Sequence, residues 1–107
     1  MVLPACTTIS NYAFFVCYSL STVDCQANIL GTGAFQSCRR LQSLYLRGST
    51  VCSLANSSVF LSTPFRGLST YFSGTPYIYV PASLVDAYKT ATNWTYFSKY
   101  IVAIEDN

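Results

Sequence analysis

The sequence predicts an α/β repeat fold, a short stack of similar turns that each end in a strand, closed at the C-terminus by a helical cap. Three observations predict it. Residues 9–25 are similar to residues 30–46 at an offset of 21. Each of these segments ends in alternation of apolar and polar residues, the period of a strand. After Pro81 the apolar spacing becomes that of a helix. The chain, 1–107, reads as a single domain with repeats over 1–80, an insertion near 66–76 and a C-terminal cap over 81–107.

The repeat rests on matched residues. Ile9 matches Leu30, Ala13-Phe14 matches Ala34-Phe35, and Cys17 matches Cys38. Leu20, Val23 and Cys25 match Leu41, Leu44 and Leu46. Every matched position is apolar or small. Alternate strand side chains point inward, and the aromatic of each turn packs beneath them. One turn cannot bury that face alone, but stacked turns can. Val2-Leu3-Pro4 reads as the end of an earlier strand and Ile78-Tyr79-Val80-Pro81 as a later one. Between Arg47 and Pro76 the period stretches. Val59-Phe60 takes the Ala-Phe place, Thr63 takes the Cys place, and Arg66 to Pro76 reads as an insertion bounded by Gly and Pro. A period in the twenties is that of a leucine-rich repeat.

The cap begins with Ser83-Leu84-Val85-Asp86, which reads as a capping box with Ser83 at the N-cap and Asp86 at N3. Leu84, Ala87, Tyr88 and Ala91 fall at i, i+3, i+4 and i+7 of one helix face. Asn93 reads as the cap of a second short helix through Trp94, Phe97 and Tyr100. Ile101 to Ile104 is strand-like. An open end of a stack exposes core and a strand edge and needs a cover. Trp94, Tyr88 and Phe97 supply it, a large aromatic burying roughly 150–250 Å².

Two features resemble a known family. One is the repeat I/L-x-x-x-A-F-x-x-C-x-x-L-x-x-V/L-x-C/L; the other is the tail from Ile78 to Trp94. Both look like the BspA-type leucine-rich-repeat proteins of bacteria, notably gut species and their phages or prophages, and of some protists. The tail resembles the C-terminal cap of such proteins. The similarity covers about residues 1–65 and 77–105. It implies a short right-handed leucine-rich-repeat solenoid with a one-sided β-sheet. It also implies an extracellular, cell-surface or virion-associated location, upstream repeats of a parent chain, and adhesion or protein binding as the role. The family has no shared catalytic residues. The long third repeat and Cys25 at a strand core position depart from its usual pattern.

Composition narrows the function classes. Charged residues are 9% of the chain and hydrophobic residues 51%, against about a quarter charged in an ordinary globular domain. That argues for a packed chain rather than a disordered one. Of the six cations, Arg39, Arg40 and Arg47 alone are close in sequence, too few for a phosphate-backbone track, so no nucleic acid is expected. No apolar run approaches the roughly 18 residues of a membrane span. Met1 to Pro4 lacks the basic start of a signal peptide. The five cysteines include no CxxC pair and there is no His, so a zinc site is not expected. The cysteines read as small buried hydrophobes. Cys17 and Cys38, equivalent in adjacent turns, read as a buried thiol ladder or a redox pair.

No catalytic constellation is visible. The acids are Asp24, Asp86, Glu105 and Asp106, there is no His to serve as a base, and neither an enzyme nor a cofactor is expected. Binding is the better reading. By alternation the outward strand face carries Thr22, Asp24, Ser43, Tyr45, Tyr77 and Tyr79, with Arg47 at its edge. Exposed Tyr and Arg are typical anchors. The expected partner is a protein or glycan on a host or cell surface. The alternative is a purely structural cap of a longer solenoid, with ligand binding elsewhere. Asn56-Ser57-Ser58 and Asn93-Trp94-Thr95 match the glycosylation sequon.

Overall fold

A computed structural model describes residues 8–65 and 76–104. Seven short strands are found among them: β1 (Thr8–Ile9), β2 (Thr22–Cys25), β3 (Ile29–Leu30), β4 (Ser43–Leu46), β5 (Ser53–Leu54), β6 (Tyr77–Val80) and β7 (Ile101–Ala103). One α-helix, α1 (Val85–Thr90), and 3₁₀ turns at Ser57–Phe60, Ala82–Leu84 and Trp94–Tyr100 complete the order. All strand pairing is parallel. β1-β3-β5 form a three-stranded sheet and β2-β4-β6-β7 a four-stranded one.

Thr8 stands opposite Ile29 and Thr22 opposite Ser43, so both sheets share one register between the first two segments. The turns between the strands are hydrogen-bonded as well. Tyr12, Phe14 and Val16 donate their backbone N–H to the carbonyls of Thr32, Ala34 and Gln36, each at 2.9 Å. Phe35 and Ser37 donate in turn to Val59 and Leu61, at 3.0 and 2.8 Å. Backbone groups that a loop would leave to water are thus satisfied between segments. Gly31 lies where two segments touch: a Cβ there would stand 2.6 Å from the Asn11 backbone nitrogen. No larger residue fits without moving that backbone.

The core lies between the two sheets. Ile9, Leu30 and Leu54 face it from one side; Val23, Cys25, Leu44, Leu46, Ile78, Val80 and Ile101 face it from the other. Phe14, Phe35 and Phe60 form a column of parallel rings, 5.5 and 6.0 Å between centroids. Thr63, in the place of Cys17 and Cys38, is buried and donates its hydroxyl to the Phe60 carbonyl at 2.6 Å.

The expectation of a right-handed solenoid with a one-sided sheet is overturned. The chain is a small α/β domain of 30 × 28 × 25 Å with two parallel sheets. Its radius of gyration, 12.4 Å, is that of a compact chain of this length, about 13 Å. Two physical reasons account for this. The strands β1, β3 and β5 pair into a second sheet opposite the first, so the core is covered from two sides. Four strands at about 4.8 Å spacing span no more than roughly 20 Å, so the stacking direction is no longer than the width of a turn.

The C-terminal region also differs from the expected helical cap. Ser83 lies inside the 3₁₀ turn Ala82–Leu84, and α1 starts at Val85 with no side-chain cap bond, so the capping box does not form. Ala87 is exposed, while Leu84 and Val85 pack on the core. Asn93 precedes the Trp94–Tyr100 turn in a left-handed conformation, φ 68°, and its amide donates to the Leu54 carbonyl at 3.2 Å instead of capping. β7 then joins the sheet beside β6, with Ile78 opposite Ile101. Tyr88, Trp94 and Phe97 are buried. The Tyr88 hydroxyl accepts from the Cys52 N–H at 2.8 Å, and the Trp94 indole N–H donates to the Cys52 carbonyl at 2.6 Å. The expected strand at Val2–Pro4 and the insertion up to residue 75 lie outside the described residues.

Candidate functional site

Alternation along the four-stranded sheet sorts its side chains. With Val23, Leu44, Ile78 and Ile101 turned to the core, their neighbours turn outward. The parallel register arranges these neighbours in two rows across the strands. Thr22, Ser43 and Tyr77 form one row. Asp24, Tyr45, Tyr79 and Val102 form the other. All the residues expected on this face are therefore brought together, with Arg47 one residue beyond the end of β4. β6 enters the sheet in register despite the longer segment before it.

Tyr45 and Tyr79, directly opposite across β4 and β6, stack with centroids 4.5 Å apart and planes 11° from parallel. Tyr77 leans toward Tyr79 at 6.0 Å and 57° and is 36% exposed. On the other side of Tyr45, Arg47 reaches back over the sheet. Its Nε donates to Asp24 Oδ1 at 2.7 Å, and its guanidinium lies 5.0 Å from the Tyr45 ring centroid. Both partners are partly exposed, at 41% and 26%, so the ion pair adds little stability. Its effect is to hold the guanidinium against the ring.

Two features of the site were not expected. Val102 extends the second row, which the alternation of Ile101 to Ile104 could have signalled. Arg47 also lines an open groove of about 380 Å³ with Pro81, Ala82, Ser83 and Ile104. Those residues come together because β6 lies between β4 and β7.

The arrangement offers aromatic edges, hydroxyls and one screened ion pair. Among the described residues no three His, Cys, Asp or Glu side chains converge as metal ligands would, and no helix is long and apolar enough to cross a membrane. The described cysteines Cys17, Cys25, Cys38 and Cys52 are thiols. Burial pushes the Cys38 thiol up to about 11, against a smaller opposite pull from a hydrogen bond with the Cys17 backbone. Its Sγ donates to the Phe14 carbonyl at 3.0 Å. A thiol held protonated is a poor nucleophile, so the ladder reading suits Cys38 better than the redox one. In the two sequons, Asn56 accepts from the Ser58 N–H at 3.1 Å and donates to Thr32, while Asn93 holds Leu54; both amides are engaged within the fold.

No family model matches the chain, and no curated protein or solved structure was found to match it.

Proposed function

We propose that this chain is a non-enzymatic binding module that holds a protein ligand against the outward face of its four-stranded sheet. The observation that carries the reading is the Tyr45–Tyr79 stack, fixed beside Tyr77 and the Arg47–Asp24 pair. Tyr and Arg anchors concentrate binding energy. Anchors already immobilised by one another lose less conformational entropy on binding. The choice of protein over glycan follows from ring orientation. A sugar ring packs on an aromatic face, and here Tyr45 and Tyr79 turn their faces to each other while Arg47 lies over Tyr45. Tyr77, 36% exposed beside the pair, adds aromatic surface that suits peptide groups. A cell-surface or virion setting rests on the sequence resemblance alone.

The test presents the whole chain and its Tyr45→Ala/Tyr79→Ala variant to a random peptide library and a glycan array, with circular dichroism as the check on folding. The wild type should select peptides, and the folded variant should bind them about a hundred-fold more weakly or worse. Selection of glycans alone, or full binding by the folded variant, would refute the reading.

A further inference from the structure

We infer a second interaction surface, the open edge of the turn at residues 11–16, which takes a short segment of a partner protein. That segment supplies backbone N–H groups at every second residue and one aromatic ring. The backbone of the turn has two uses. Ser10, Tyr12 and Phe14 carbonyls accept from Ala13, Phe15 and Cys17 within the turn, at 3.1, 3.1 and 3.2 Å. The N–H groups of Tyr12, Phe14 and Val16 go instead to Thr32, Ala34 and Gln36. There remain the carbonyls of Asn11, Ala13 and Phe15, to which nothing donates among the described residues. They are the counterparts, 21 positions earlier, of the Thr32, Ala34 and Gln36 carbonyls, which do accept. All three residues are exposed. The row is a line of partial negative charge, and its complement is a line of N–H donors. A peptide added to an open backbone edge provides that line.

The side chains define the ligand further. Phe14 is half-buried and stacks on Phe35 at 5.5 Å, whereas Phe35 has a parallel ring on either side. An aromatic residue in the middle of the ligand continues that column. Tyr12 reaches across Gly33, where an added Cβ would meet its ring. Tyr12 holds the place of Gly33 toward the ligand, so the ligand residue opposite it is small. Gly31 likewise gives room to Asn11, and its counterpart is Ser10, so the ligand begins no earlier than opposite Tyr12. A second copy of the chain does not fit by the same edge, because it brings carbonyls to meet carbonyls. A stable dimer also buries about 800 Å² per partner, far more than the edge of one turn presents. The edge lies between β1 and β2, apart from the tyrosine face, and does not depend on it.

The probe is a synthetic peptide with the sequence of residues 33–37, Gly-Ala-Phe-Gln-Ser, blocked at both ends. It has the small residue, the ring and the donor order, since Phe35 and Ser37 already donate to Val59 and Leu61. Titrated into the ¹⁵N-labelled full chain, it should give saturable NMR shifts centred on the amides of residues 11–17. N-methylation of the probe at Gly, Phe and Ser removes the donors and keeps the side chains, and should weaken binding about ten-fold or more. Ala13→Arg should do the same, because Ala34, the counterpart of Ala13, is fully buried under the first segment; circular dichroism checks its fold. Tyr45→Ala/Tyr79→Ala should leave binding unchanged, so this surface and the tyrosine face can fail separately. Shifts that never saturate, equal binding by the N-methylated probe, or full binding by the folded Ala13→Arg variant would overturn the proposal. Loss of binding in the tyrosine variant, or shifts of the same amides with protein concentration alone, would overturn it too, placing the probe on the sheet face or a second copy on the edge.

Discussion

Residues 8–25 and 29–46 have the same course and nearly the same apolar residues, yet they are not buried alike. Each runs from a two-residue strand through a turn to a four-residue strand. Each adopts left-handed backbone at the same two places, Tyr12 and Val16 in the first, Gly33 and Ser37 in the second. In the second segment Ala34, Phe35, Cys38 and Leu41 are fully buried. In the first, Ala13 is exposed and Phe14, Cys17 and Leu20 are half-buried. Phe35 has a parallel ring on either side, whereas Phe14 stacks on Phe35. The lesson is that energetic weight belongs to the position between neighbours and not to the residue type. Where the segments end, the tail supplies the missing neighbour: Phe60 meets Trp94 and Phe97 at 6.0 and 5.0 Å.

The strongest challenge to this comparison is a pair of truncations. Phe35→Ala should cost about 3–5 kcal/mol, the range for a buried Phe, and Phe14→Ala about half as much. Urea unfolding measures both, and equal losses would break the comparison. A smaller effect is expected where the tail meets β5. Tyr88→Phe leaves the buried Cys52 N–H without its acceptor, at a cost of about 1–3 kcal/mol. A loss no larger than that of a surface substitution would show that the tail covers this end by contact alone.

The smallest effect is one of pH. Burial pushes Cys38 from its ordinary 9.0 up to about 11, and Tyr88 from 10.0 up to about 12. Both groups are neutral in the fold. Below about pH 9 the folded and unfolded chains hold the same protons and the contribution is fully present. From pH 9 to 12 the unfolded chain releases protons that the fold retains, so stability falls as pH rises. Unfolding midpoints between pH 8 and 11 should decline, and less steeply in Cys38→Ala. An unchanged slope in that variant would show that the buried thiol does not distinguish the two segments.

The candidate face was legible because it depends on period-two alternation in β2, β4 and β6, and each of these strands is long enough to display it. What Tyr45 and Tyr79 do to each other was not legible, because it depends on the register of β4 with β6 across a long intervening segment. The Arg47–Asp24 contact joins different strands and leaves no local trace either. β1, β3 and β5 have two residues each, too few for any alternation, so the second sheet was invisible and the fold class was misjudged. The capping box did not form either. Ser83 lies within the Ala82–Leu84 turn, while the Tyr88 and Trp94 side chains are tied to Cys52, distant bonds that no local motif signals.

The sequence by itself determined which side of each longer strand faces out, because a half-buried strand carries its two faces as an alternation in its order of residues. It also determined that equivalent residues 21 positions apart would meet. Only the tertiary structure decided that the core lies between two sheets, that Ala13 and Ala34 differ in exposure, and that Arg39 rests on Tyr18. Those outcomes depend on which neighbour packs against each face, and neighbours are assigned by the whole fold rather than by any segment alone.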